Sequence, residues 1–126
     1  MKVVRIRPDL KVGRLARLAF EQYFSSSNCR EEEIARLQEG DYCHETFVLN
    51  STMPALVPVS TIENAPSGKR VGESTFYKKH YYTKPILEFN GIKYRLVNDW
   101  KEPSNPRDNR TPLEDWIRRM GFEISE

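Results

Sequence analysis

Residues 84–97 read KPILEFNGIKYRLV, two runs of alternating apolar and polar side chains separated by Asn90-Gly91. A two-residue type I′ turn needs positive φ at both central positions, which asparagine and glycine tolerate better than other residues. Between alternating runs, this pair is the strongest short-range signal for a β-hairpin. The stretch therefore predicts two antiparallel strands joined by a tight turn.

The segment before the hairpin predicts two helices. Residues 12–24 place apolar side chains at helical spacing from Leu15 to Tyr23, which is the pattern of an amphipathic helix. The acids Glu31-Glu32-Glu33 suit the first turn of a second helix, because they complement its positive end. That helix is expected to reach about residue 38, with Gly40 as its C-cap.

The segment after the hairpin predicts a last helix over about residues 112–120. Thr111-Pro112-Leu113-Glu114 combines Thr at the N-cap, Pro at N1 and Glu at N3, and Gly121 follows as a terminator. Residues 2–7 predict a short strand or extended arm, and residues 60–75, rich in Ser, Gly, Pro and Asn, predict a mobile loop.

These elements together predict an α+β fold. We expect a single domain over residues 1–126, with two N-terminal helices, a hairpin at about 84–97, one or two further short strands and a C-terminal helix.

Composition excludes several classes of protein. The chain has 126 residues, 38% of them hydrophobic, and a net charge of +2. No stretch approaches the ~20 apolar residues of a membrane span, and no secretory signal pattern is visible at the N-terminus. Cys29 and Cys43 are expected to be reduced thiols in a cytoplasmic protein. Together with His44 and His80 they lack the spacing of a zinc site, so no metal or cofactor is predicted.

The charges are distributed unevenly along the chain. Residues 1–17 carry six basic side chains and one acidic, residues 30–45 carry six acidic and two basic, and residues 69–84 carry five basic and one acidic. Two basic segments around an acidic one predict a bipolar surface whose basic face attracts phosphates. The alternative is ordinary solvated charge without a specific partner.

The segment 98–110, between the hairpin and the last helix, predicts a DNA contact. Asparagine and arginine side chains bond bidentately to adenine and guanine edges respectively. The expected contact residues in this segment are Asn98, Lys101, Asn105, Arg107, Asn109 and Arg110. The asparagines are expected to face base edges, and Arg107 and Arg110 phosphates. The alternative is a solvated connector in which Trp100 belongs to the core and the asparagines satisfy turns.

The stretch 76–82, FYKKHYY, interleaves four aromatic side chains with two lysines and a histidine. This mixture suits a nucleic-acid backbone or stacked bases, and we expect Lys78, Lys79 and the nearby Lys84 to contact phosphate. A β-strand with one buried aromatic face explains the same pattern, and both readings hold at once if alternate residues point to opposite faces.

Enzymatic readings of the sequence have less support. A metal-dependent nuclease would need acids and a lysine on neighbouring strands, and Glu88, Lys93 and Asp99 are the candidates. Such spacing occurs in any charged hairpin. Cys43 beside His44 lacks the third, orienting group of a nucleophilic site. A non-enzymatic protein is therefore expected.

The C-terminal region resembles the DNA-binding domain of the SeqA replication modulators. The resemblance rests on the strand Tyr94-Arg95-Leu96-Val97-Asn98, the polar loop and the helical stretch from Thr111 to Phe122. It implies binding in the major groove of duplex DNA through two loops, with Asn98 matching a base-reading asparagine. The loop after the second helix departs from the family, which has arginines there, whereas this chain has the acidic set Asp41, Cys43, His44 and Glu45.

The sequence therefore predicts a small DNA-binding protein or module of bacterial or phage type. The separate oligomerisation segment of SeqA has no counterpart here, so a homodimer on DNA would need another surface. The alternatives are an interaction module or inhibitor that uses the acidic segment 31–45, and a subunit of a restriction or nuclease system.

Overall fold

The computed structural model describes residues 5–6, 11–49, 53–63, 80–98, 100 and 109–124. Within this part of the chain the elements, in order, are β1 (Arg5–Ile6), α1 (Val12–Ser25), α2 (Glu31–Arg36), α3 (Gly40–Phe47), β2 (Leu56–Pro58), α4 (Val59–Glu63), β3 (Tyr81–Phe89), β4 (Ile92–Val97), α5 (Arg110–Arg119) and β5 (Glu123–Ile124). The predicted α+β class is confirmed. None of the described helices is long and apolar enough to cross a bilayer.

The predicted hairpin is the centre of a three-stranded antiparallel sheet of order β2-β4-β3. Phe89 pairs with Ile92 across the turn, and Asn90 and Gly91 have φ values of 52° and 80°, as a type I′ turn requires. Leu56 of β2 pairs with Leu96 on the other side of β4. The extended segment predicted near the N-terminus contains β1, which pairs in parallel with β5.

Helix α1 lies at the centre of the core, and its predicted apolar row is buried. The Phe20 ring stacks on Trp116 of α5 with ring centroids 4.7 Å apart. Phe47 of α3 and Trp100 complete an aromatic cluster around it. Stacked and edge-to-face rings contribute beyond their buried area, so this cluster joins α1, α3 and α5.

The segment expected to leave the second helix forms a third helix instead. Helix α2 ends at Arg36, and Gly40 begins α3 rather than capping the helix before it. The spacing that supports α3 is the pair Cys43 and Phe47, one helical turn apart and both buried. Tertiary packing of this short apolar stripe outweighs the local preference of glycine for a helix end.

The C-terminal helix begins two residues before the predicted start. Asn109 is the N-cap and Thr111 lies within the first turn, so the predicted cap is wrong. The predicted end is confirmed, because Gly121 has φ 96° and Phe122 returns to the core. A Cβ at Gly121 would lie 2.6 Å from the side-chain nitrogen of Asn28, so this position also needs glycine for space.

The segment predicted as a mobile loop begins with regular structure. Residues 60–63 belong to α4, whose Ile62 is buried, and residues 64–75 lie outside the described part of the chain.

Val48, which ends α3, adopts the left-handed conformation with φ 60° and is 38% exposed. This conformation costs an L-residue about 1–2 kcal/mol, and glycine avoids that cost. We expect Val48→Gly to raise the free energy of unfolding by about 0.5–1 kcal/mol, because the added entropy of the unfolded chain offsets part of the gain. Urea denaturation followed by circular dichroism would measure it.

The control is Glu45→Gly, at an exposed helical position of α3. Glycine there should lower stability by about 0.5–1 kcal/mol. Equal decreases in the free energy of unfolding of the two variants would show that the backbone at Val48 is not strained.

Candidate functional site

The predicted DNA-contact residues fall into two groups. Lys78, Lys79, Lys101, Asn105 and Arg107 lie outside the described residues. The remaining four are described: Lys84 is exposed on β3, Asn98 is half-buried after β4, Asn109 is buried and Arg110 is half-buried in α5.

The residue that precedes the segment 101–108 is packed in the core. Trp100 is only 7% exposed, its indole N–H donates to the carbonyl of Val97 at 2.8 Å, and its ring meets Phe47 edge-on. Just before it, the backbone N–H of Asn98 donates to the carbonyl of His80 at 2.7 Å. The start of the predicted contact loop is therefore fixed to both the sheet and the aromatic cluster.

The residue that follows the segment 101–108 is also buried, and here the sequence prediction needs correction. Asn109 is fully buried, and its side-chain amide donates to the carbonyls of Phe47 at 2.8 Å and Val48 at 2.9 Å. The last carbonyls of a helix lack partners within the helix, and Asn109 supplies them for α3. The expectation that Asn109 faces a base edge is therefore wrong, and the connector reading holds for Asn109 and Trp100.

Arg110 and Lys84 differ in how available their charges are. Arg110 forms an ion pair with Glu114 at 3.3 Å, and its side chain is 16% exposed. A phosphate would therefore compete with Glu114 for this guanidinium. Lys84 is exposed on β3, so among the described cations of the predicted interface it is the one open to solvent.

The structure describes only some of the enzymatic candidates. Glu88 and Lys93 face each other across the exposed end of the hairpin, and Asp99 lies outside the described residues. The buried Cys43 thiol donates to the Leu37 carbonyl and accepts from the Ala55 N–H, and burial raises its pKa to about 12. In the described part of the chain, no group of three His, Cys, Asp or Glu side chains is placed to hold a metal ion.

The acidic segment 31–45 divides into an outward and an inward part. Its outward acids lie on α2, on α3 and between them: Glu31, Glu32, Glu39, Asp41 and Glu45. Glu33 points inward and is only 6% exposed. The outward acids make an acidic surface, whereas Glu33 belongs to an internal network.

That network joins α2, α3 and α5 through one buried carboxylate. Glu33 Oε2 accepts a hydrogen bond from the Tyr42 hydroxyl at 2.6 Å and another from the Trp116 indole N–H at 2.9 Å. Arg36 lies 3.6 Å from Oε1, and Arg119 donates to the Tyr42 oxygen at 3.0 Å. Burial, followed by the bond to Glu33, raises the pKa of the Tyr42 hydroxyl to about 12.

The network forms one side of a cleft of about 690 Å³. Three arginines line this cleft, Arg30, Arg36 and Arg119, together with the carboxylates of Glu32 and Glu33. Asn28 also lines the cleft, and its side-chain N–H donates to the carbonyl of Met120 at 2.8 Å. This volume lies in the range of pockets that hold small organic molecules.

The position of Glu33 in the sequence indicates that it is buried, although it belongs to a run of three acids. Glu33 precedes Leu37 by four residues and Ile34 by one, so it lies on the apolar face of α2 rather than on its solvated face. Trp116 and Arg119 are three residues apart on α5 and share a face in the same way. An acid at an apolar helical position indicates a buried partner, here Trp116 and Tyr42.

The chain matches no protein-family model, no curated protein and no solved structure.

Proposed function

We propose that this protein is a non-enzymatic DNA-binding module that contacts duplex DNA through the segment 98–110 together with Lys78, Lys79 and Lys84. The observation that carries the proposal is the attachment of segment 101–108 to the core at both ends, by Trp100 and Asn109. Binding residues are commonly presented on loops held by a packed scaffold.

The composition of that segment supports the proposal. It contains Lys101, Asn105 and Arg107, which are side-chain types that bind phosphates and base edges. The half-buried Asn98 precedes it, at the position that matches a base-reading asparagine in the SeqA resemblance. With Asn109 assigned to the core, Asn98 and Asn105 are the proposed base-reading residues.

The proposed phosphate contacts are Lys78, Lys79, Lys84 and Arg107, and Arg110, which pairs with Glu114, is a further candidate. Lys84 lies on β3, whose first residue pairs with Val97 at the end of β4. The start of β3, which Lys78 and Lys79 precede in the sequence, therefore lies at the same end of the hairpin as residue 98, as one continuous DNA footprint would require.

The test compares two doubly substituted proteins by fluorescence anisotropy with a random duplex. Lys84→Ala with Arg107→Ala is expected to weaken binding about 10–100-fold at about 100 mM salt and to reduce the log–log salt slope by about two, because two phosphate contacts are lost. Unfolding curves would verify that both proteins are folded.

The matched control is Lys93→Ala with Arg118→Ala. Lys93 lies on the same hairpin close to its turn. Arg118 lies nine residues after Asn109, which places it about 14 Å further along α5. This control is expected to change affinity less than threefold. Equal weakening in both proteins would indicate attraction by net charge alone and would contradict a defined interface.

A second candidate function is binding of a basic protein through the acidic surface formed by Glu31, Glu32, Glu39, Asp41 and Glu45. Its support is the exposure of all five acids. Charge reversal at Asp41 and Glu45 would weaken such a complex while leaving duplex binding intact or stronger.

A further inference from the structure

The cleft between α2, α3 and α5 contains guanidinium groups that the fold leaves unneutralised. Arg30 and Arg119 form no ion pair among the described residues, and Arg36 reaches only the buried Glu33, at 3.6 Å. Three arginines and two glutamates line the cleft, so its charged side chains carry a net charge of +1. The arrangement therefore favours an anionic guest.

Arg119 is exposed, and one hydrogen bond links it to the buried network. One of its N–H groups donates to the Tyr42 oxygen at 3.0 Å, and Tyr42 is held in turn by its 2.6 Å bond to Glu33. A guanidinium has five donors in a planar fork, so the groups that remain are available to a ligand. Preorganisation of this kind reduces the entropy lost on binding.

Glu33 does not prevent an anion from binding in the cleft. Its Oε2 atom already accepts two hydrogen bonds, from Tyr42 and Trp116, and Arg36 lies beside Oε1. The carboxylate thus serves as the support that orients Tyr42. Glu32, the other acid of the lining, is exposed to solvent, which screens its charge.

We propose that this cleft binds a phosphate monoester of nucleotide size, with Arg30 and Arg119 contacting the phosphate and Arg36 assisting. The fork geometry of arginine matches phosphate oxygens. The volume of about 690 Å³ exceeds the need of a free inorganic anion, and Tyr42 and Met120 offer aromatic and apolar surface to an organic group. The phosphate belongs to a free mononucleotide or to the 5′ end of a DNA strand.

The first experiment compares adenosine 5′-monophosphate with adenosine by isothermal titration calorimetry. The monophosphate is expected to bind at least tenfold more tightly. In parallel, a 5′-phosphorylated duplex is compared with the same duplex bearing 5′-hydroxyl ends. If the monophosphate binds more tightly than adenosine, the site is assigned to mononucleotides. If the 5′-phosphorylated duplex binds more tightly than the 5′-hydroxyl duplex, the site is assigned to DNA ends. No gain in either pair overturns the proposal.

Three arginine-to-glutamine variants test which side chains contact the phosphate. Arg30→Gln and Arg119→Gln are each expected to weaken binding at least tenfold, while Arg118→Gln is expected to change it less than twofold. Arg118 neighbours Arg119 on α5 but pairs with Asp115 outside the cleft. Equal losses in Arg118→Gln and Arg119→Gln would overturn the proposal. Arg30→Gln removes no side-chain hydrogen bond or ion pair among the described residues, so it separates ligand binding from folding.

The test of the cleft can succeed or fail independently of the test of the proposed DNA interface. Arg119→Gln should leave binding of the 5′-hydroxyl duplex unchanged, whereas Lys84→Ala with Arg107→Ala should weaken it. Failure of the cleft proposal and failure of the DNA proposal therefore give different patterns across the same set of proteins.

Discussion

Glu33→Ala is expected to lower the free energy of unfolding by about 3–5 kcal/mol, because two hydrogen bonds to a buried carboxylate are lost together. The indole N–H of Trp116 and the hydroxyl of Tyr42 both donate to Glu33 Oε2. The alanine variant leaves the Trp116 donor buried without a partner, and a buried unsatisfied donor costs about 1–3 kcal/mol by itself.

The neighbouring Glu32 provides the matched control. It is exposed in the same turn of α2, so Glu32→Ala is expected to change stability by less than about 0.5 kcal/mol. Glu33→Gln should fall between the two, because its amide oxygen still accepts hydrogen bonds from Trp116 and Tyr42. Urea denaturation at neutral pH would measure all three. Similar small effects of Glu33→Ala and Glu32→Ala would contradict the network.

Asn109→Ala is expected to lower the free energy of unfolding by about 2–3 kcal/mol. Its amide satisfies the carbonyls of Phe47 and Val48 at the end of α3, and each lost bond leaves an acceptor without its donor at a cost of about 1 kcal/mol or more. Asn109→Asp should be at least as destabilising, because it replaces two donors with a carboxylate facing two carbonyls.

A comparison of Asn105→Ala with Asn109→Ala distinguishes a DNA-contact role from a structural role. We expect it to weaken duplex binding without changing stability, whereas Asn109→Ala changes stability. Denaturation curves and anisotropy on the same two proteins would check both roles. A destabilised Asn105→Ala together with an unaffected Asn109→Ala would reverse the assignments.

Sequence patterns predicted those parts of the fold that depend on neighbouring residues. The Asn90-Gly91 turn, the apolar row of α1 and the glycine that ends α5 are encoded locally, and all three occur where expected. Local signals failed at Gly40, where a residue typical of helix ends begins α3 instead. The packing of Cys43 and Phe47 decides that element, and packing depends on residues distant in sequence.

The sites were harder to predict for the same reason. Glu33 looks like one of three solvated acids in the printed sequence, and only the positions of Tyr42 on α3 and Trp116 on α5 make it a buried acceptor. Asn109 has the side-chain chemistry of base recognition, but that amide also fits the carbonyls at a helix end. Residue type alone does not distinguish these uses.

Salt-dependent binding to three nucleic acids tests the proposed DNA binding most directly. Fluorescence anisotropy would follow the unmodified protein with a random duplex, a single-stranded DNA and an RNA, at about 50 and 200 mM salt. Four phosphate contacts predict that duplex affinity falls about 100-fold over that range, and that the duplex binds more tightly than the other two. Absence of binding to all three at tens of micromolar would contradict the proposed function.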